Sequence, residues 1–168
     1  MAVKVIVVMG SNSDFDIMKP TFETLKEFGV EFEAHVASAH RTPDRALSLA
    51  KEAHTRGVEV IIAAAGAAAH LAGVLAAATP LPVIGVPIDA TPLRGVDALY
   101  AMVQMPAGVP VAVMAINGAR NAALFAVQLL GAGDPSMRER YLDFKARLAG
   151  EVLQRHENLN ILIKEMFE

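Results

Sequence analysis

The chain has 168 residues, 54% of them hydrophobic and 20% charged, with 15 Lys and Arg against 18 Asp and Glu and a formal charge of -3. That length suits one compact core, the mean hydropathy of +0.39 lies far from disorder, and slight acidity without a basic stripe points away from nucleic acid and towards small-molecule ligands. The absence of cysteine excludes disulfides, thiolate nucleophiles and cysteine-ligated metal or iron–sulfur centres, and suits a reducing cytoplasm.

Val3 to Val8 reads as a buried strand rather than a signal peptide, because it runs directly into Gly10-Ser11-Asn12-Ser13-Asp14 with no small-residue cleavage site. Asp14 to Phe28 carries apolar residues at near-helical spacing and stops at Gly29. Val30 to Val36 is a second strand, and Thr42-Pro43-Asp44 opens a helix, with Thr42 as capping hydroxyl and proline at the first position, ending near Gly57. Val58 to Ala63 predicts a third strand and Ala67 to Ala78 a helix. The apolar run Ile61 to Ala78 is long enough for a membrane span, but it is alanine-dominated and lacks flanking basic anchors, so a buried strand and a small-residue helix are expected instead. Val83 to Val86 is a short fourth strand. Pro87 to Gly108 is irregular around one helical patch, Val96 to Val103. Val109 to Ile116 is a fifth strand and Asn117 to Leu130 a helix. Asp134-Pro135-Ser136 starts a last helix through residue 167, too long for the sheet, whose apolar tail is expected to pack on a neighbouring subunit. Strand–helix alternation predicts a single α/β domain over residues 1–168, with a parallel five-stranded sheet covered on both faces.

The first three strand-to-helix junctions hold most of the suggestive polar residues, and in a parallel sheet they share the carboxyl edge where ligands bind. The first, Gly10 to Asp14, resembles a phosphate loop with a carboxylate for sugar hydroxyls, although Gly, Ser and Asp are also ordinary turn and cap residues. At the second, Ser38-Ala39-His40-Arg41 combines a hydroxyl, an imidazole and a guanidinium. Arg41 can grip a phosphate through its planar fork, and imidazole titrates near neutrality. His40 is thus either a proton shuttle or a loop cap. His70, at the third junction, is either a structural residue at a helix start or a ligand contact. His54 and His156 read as solvated and His35 as a hydrogen-bonded strand residue. No pair has metal-ligand spacing on a helix.

Taken together, Met9-Gly10-Ser11-Asn12-Ser13-Asp14, Ser38-Ala39-His40-Arg41-Thr42-Pro43, Ala65-Gly66-Ala67-Ala68-Ala69-His70-Leu71, Gly85-Val86-Pro87, Gly95-Val96-Asp97-Ala98-Leu99, Val103-Gln104-Met105-Pro106-Ala107-Gly108-Val109-Pro110 and Asn121-Ala122-Ala123-Leu124 resemble the ordered blocks of the PurE family of N5-carboxyaminoimidazole ribonucleotide mutases. The resemblance covers nearly the whole chain. It implies a flavodoxin-like three-layer fold, a cytoplasmic homo-octamer, and exchange between the N5-carboxy and 4-carboxy forms of aminoimidazole ribonucleotide in purine biosynthesis, with no metal or organic cofactor. It further implies that Ser11, Ser13, Ser38 and Arg41 hold the 5'-phosphate beside Gly10 and Ala39, that Asp14 holds the ribose, that His40 is the general acid/base, and that Ala65, Gly66, Ala67, His70 and Leu71 shape the pocket for the imidazole.

The chain departs from the family pattern at Ala67, which places a Cβ where a glycine's positive φ is used, at Ala72 in place of a proline, and in a shortened segment around Asn117-Gly118-Ala119-Arg120. Two alternatives stand beside the mutase: the related branch that carboxylates aminoimidazole ribonucleotide directly with carbon dioxide, against which Ala69-His70-Leu71 counts, and a non-catalytic nucleotide-binding module on the same fold.

Overall fold

The computed structural model describes residues 2–167. Five parallel strands, β1 (Val5–Met9), β2 (Phe32–Val36), β3 (Val60–Gly66), β4 (Val83–Ile88) and β5 (Ala112–Val113), form one sheet in the order β2-β1-β3-β4-β5. This is the flavodoxin-like doubly wound order, with its reversal between β1 and β3. β1 and β4 are buried at every position, and β3 at every position before Gly66. Helices cover both faces, so these strands read as continuous apolar runs, while β2 at the edge is only partly buried.

The helices are α1 (Phe15–Glu27), α2 (Pro43–Ala53), α3 (Leu71–Ala78), α4 (Val96–Val103), α5 (Ala119–Gly133) and α6 (Pro135–Phe167). One core joins Val5, Val7, Ile62, Ile84 and Val86 to Met18 and Leu25 of α1, the alanine-rich face of α5 and the first turns of α6. The opposite core joins Ile6, Val8, Ile61 and Ala63 to Ala46 and Ala50 of α2, Leu71 and Leu75 of α3, and Ala98 and Met102 of α4. Alternate strand residues thus serve alternate layers, as a period of two requires. The buried Thr21 hydroxyl donates to the Ala119 carbonyl at 2.8 Å, tying α1 to the start of α5.

Several details differ from the sequence reading: β3 runs on to Gly66 and β4 to Ile88, and three further differences are local. Residues 67–70 are a tight loop and the helix begins only at Leu71, because Ala67 holds φ 54° and Ala69 and His70 donate their N–H groups to carbonyls just two residues back, Ala67 and Ala68, at 2.8 Å each. β5 keeps only Ala112 and Val113, paired to Ile84 and Gly85, while Val111 and Met114 on either side pack against the two cores. Thr42 does not cap α2: its hydroxyl accepts from the Ser38 N–H at 2.9 Å and donates to the Ser38 carbonyl at 3.2 Å, bracing the loop that carries His40. No helix among the described residues is long and apolar enough to cross a membrane.

Beyond its first three turns α6 leaves the body of the protein. Met137 and Phe144 are buried, Phe144 beside Phe28 and Tyr141, whereas Val152, Leu153, Leu159, Leu162 and Phe167 are exposed.

Candidate active site

The register aligns Met9 with Val36 and Ala64, and Gly66 with Ile88, so the loops after β1, β2, β3 and β4 leave the sheet at one edge. They enclose a cavity of about 320 Å³ lined by Gly10, Ser11, Ser13, Asp14, Ser38, Ala39, His40, Arg41, Ala65, Gly66, Ala67, Ala68, His70, Leu71 and Ala90. Every site residue inferred from the sequence lies on this lining. Ala90 was not foreseen, because it sits in the irregular stretch after Pro87, where no periodicity or polar motif marks it.

The β1 loop is built by its own side chains. Ser11 accepts from the Ser13 N–H at 3.2 Å and from the Ser13 hydroxyl at 2.7 Å, while Asp14 accepts from the Ser11 N–H at 3.1 Å, a reciprocal capping box over the 3₁₀ turn Asn12–Asp14. These residues cap the turn, and Ser11, Ser13 and Asp14 also line the cavity. Asp14 is 5% exposed. Burial pushes its carboxyl above the ordinary aspartate value, against the pull of the Ser11 N–H, the Ser13 hydroxyl and the Arg41 charge.

The β2 loop folds back on the first. Arg41 donates from Nη2 to the Gly10 carbonyl at 3.1 Å, and its backbone N–H donates to the Ser38 hydroxyl at 3.2 Å. The guanidinium remains exposed, so it presents donors to solvent beside Ser11 and Ser38. A second depression of about 240 Å³ adjoins this side and shares Gly10, Ser11, Ser38 and Arg41. The polar end of the site thus gathers the hydroxyls of Ser11, Ser13 and Ser38 and the Arg41 cation, a set of groups suited to holding an anion.

The β3 loop forms the other end, walled by Ala65 to Ala68 and Ala90. Here His70 Nδ1 lies 2.9 Å from His40 Nε2, with the rings near perpendicular at 80° and their centroids 5.0 Å apart. Facing ring nitrogens at that distance share one proton, and the tautomer of one ring sets that of the other. His35 instead bonds Glu33 at 3.0 Å, and His54 and His156 are exposed. Among the described residues no three His, Cys, Asp or Glu side chains gather closely enough to hold a metal ion.

The fold and site define a doubly wound α/β protein whose crevice at the strand reversal joins an anion cradle to a small-residue pocket with a histidine pair. The family model of AIR carboxylase matches residues 4–151. An N5-carboxyaminoimidazole ribonucleotide mutase of Thermotoga maritima is 49% identical over 156 residues, 93% of this chain and 91% of that protein, and one of Mycobacterium tuberculosis is 52% identical over 159 residues, covering 95% and 91%. The crystal structure of a substituted Treponema denticola PurE2 superposes with a TM-score of 0.86 at 26% identity, covering 95% of this chain and 99% of that one. The chain belongs to the AIR carboxylase family.

Proposed function

We propose that this protein is a mutase interconverting N5-carboxyaminoimidazole ribonucleotide and 4-carboxyaminoimidazole ribonucleotide in purine biosynthesis, without metal or organic cofactor. The observation that carries the proposal is His40, held at the junction of the anion cradle and the alanine-walled pocket, within hydrogen-bonding distance of His70. In this reading Ser11, Ser13, Ser38 and Arg41 hold the 5'-phosphate and Asp14 accepts from the ribose. The grip at that end positions the ring at the other, so binding energy remote from the reacting atoms lowers the barrier there.

His40 gives a proton to the exocyclic nitrogen as its bond to the carboxyl carbon breaks, releasing carbon dioxide inside the pocket. The ring carbon then attacks that carbon dioxide, and His40 takes the proton from the ring carbon. One base therefore serves both halves and ends in its starting state. His70, whose Nδ1 lies 2.9 Å from His40 Nε2, fixes the His40 ring. The side chains from Ala65 to Ala68 leave room for a flat heterocycle and a retained linear molecule. Ala68→Leu fills that room, so it is expected to release carbon dioxide or block binding; unchanged turnover would rule out retention at this wall.

The exposed apolar tail of α6 supports a homo-oligomer, for which the octamer of the family is the assembly we propose, acting in the cytoplasm. Incubation of the purified protein with N5-carboxyaminoimidazole ribonucleotide, without ATP or metal, beside aminoimidazole ribonucleotide with bicarbonate, tests the reaction. Rapid conversion of the first and little use of the second is expected. The reverse preference would make the protein a direct carboxylase, and binding without either reaction a nucleotide-binding module.

A further inference from the structure

Among the described residues, three that carry a side chain hold positive φ: Ala67 at 54°, Arg94 at 55° and Asn117 at 57°. They lie in turn beyond the carboxyl ends of β3, β4 and β5, so left-handed backbone gathers on the side of the sheet where the cavity opens. Strain of this kind persists only where surrounding contacts over-determine it. For Asn117 those contacts can be followed atom by atom to the cavity.

The turn from Ala115 to Ala119 is tight: Gly118 N–H donates to the Ala115 carbonyl and Ala119 N–H to the Asn117 carbonyl, both at 2.8 Å. It turns Asn117 towards the loop between β4 and α4. There the Asn117 side-chain Oδ1 accepts the Asp89 N–H at 3.0 Å, and the Asn117 N–H donates to the Pro87 carbonyl at 2.8 Å. One residue thus holds the end of β4 through a backbone donor and a side-chain acceptor, before and after Ile88. The far end of the loop is pressed onto the same turn, since a Cβ on Gly95 would stand 2.6 Å from Ile116 Cγ2 and 3.3 Å from Asp89 Cα. Next to Asp89, Ala90 closes on Gly66, where a Cβ would stand 2.6 Å from Ala90 Cβ and 3.2 Å from the Ile88 carbonyl. Ala90 and Gly66 both line the cavity.

We propose that Asn117 is a positioning residue of the active site, clasping the β4–α4 loop so that Ala90 stays against Gly66 and closes the small-residue end of the pocket. It is not part of the cavity lining itself. Its part in turnover rests on the mutase reading above: a wall that gives way at Ala90 lets carbon dioxide escape between the two half-reactions, while the phosphate cradle on the β1 and β2 loops is untouched. Asparagine suits the place because it tolerates left-handed backbone and supplies the carbonyl that Asp89 needs.

The test compares Asn117→Gly, which keeps the backbone conformation and removes the side-chain acceptor, with Asn117→Asp, which keeps an oxygen acceptor and tolerates positive φ. In Asn117→Gly, amide hydrogen exchange over residues 88–92 of the ligand-free protein should quicken. Its kcat should fall on the order of tenfold, the scale of a wall misplaced by a fraction of an ångström, with KM nearly unchanged and more aminoimidazole ribonucleotide released per turnover. Asn117→Asp should restore all three readouts towards the wild-type values. A folded Asn117→Gly protein with wild-type exchange and product partition would overturn the proposal, as would an Asn117→Asp protein as impaired as the glycine variant. Should Asn117→Gly not fold, Asn117→Ala, which also removes the acceptor and puts at this φ a residue that Ala67 shows can hold it, takes its place by the same readouts. The exchange arm needs no substrate, so a wild-type protein that converts neither substrate would dismiss the mutase reading and leave the clasp to be judged by exchange.

Discussion

Asp14 illustrates a residue whose surroundings set stability against function. Its carboxyl is raised by burial, so the folded form holds its proton to higher pH than the unfolded chain does. The fold is therefore relatively most stable below the ordinary aspartate value, and this contribution is lost as pH rises through the raised value. Asp14→Asn keeps an acceptor for the Ser11 N–H and removes the buried charge. It should raise the melting temperature of the ligand-free protein at neutral pH but not in acid, and weaken nucleotide binding; calorimetry at two pH values with a titration of ligand checks both. His40→Asn separates the other roles. Because the cradle does not include the imidazole, affinity should stay within a few-fold while turnover falls by about a hundredfold or more, as loss of general acid/base catalysis entails. Equal losses in binding and rate would argue against His40 as the proton carrier.

At the scale of elements, local sequence rules held where one element alone decides the outcome. Gly29 and Gly57 take positive φ and end their helical segments as glycine does after a C-terminus. Asp134 caps α6: its Oδ1 accepts from the Ser136 N–H at 2.9 Å, the Ser136 hydroxyl at 2.8 Å and the Met137 N–H at 3.3 Å. The Ser136 hydroxyl first, then the Met137 and Ser136 N–H groups, hold this carboxyl below the ordinary value. The cap therefore stabilises above the ordinary aspartate pKa, and its contribution is lost as pH falls through the lowered one. Asp134→Ala should lower the melting temperature at neutral pH, with the difference from wild type closing in acid. Thr42 shows where such rules fail: placed before Pro43 it has the form of an N-cap, yet its hydroxyl is taken by both backbone groups of Ser38, a competition that only the folded loop reveals.

In the whole molecule the apolar surface of α6 lies beyond the packed body. Leu153, Leu159, Leu162, Met166 and Phe167 are all more than half exposed, more contiguous apolar surface than an isolated domain ordinarily leaves in water. The body does not need them, since the last buried residue of α6 is Phe144. Leu159→Glu with Leu162→Glu should thus leave the circular dichroism of the folded protein nearly unchanged and reduce its mass in sedimentation; an unchanged mass would show that the tail is no interface.

The chain by itself determined the order and type of its elements, because buried parallel strands and amphipathic helices have different periods and proline, glycine and aspartate punctuate them. It also placed Ser11, Asp14, Ser38, His40, Arg41 and His70 at strand ends that a parallel sheet must bring to one edge, where they line one cavity. Tertiary structure alone decided the rest. Positive φ at Ala67 was open to the sequence through the glycine it replaces, but the 2.9 Å contact of His40 with His70, the place of Ala90 in the wall and the reach of Asn117 to Asp89 were not. Each joins residues far apart in the chain, through loops whose course follows from packing rather than from any local repeat.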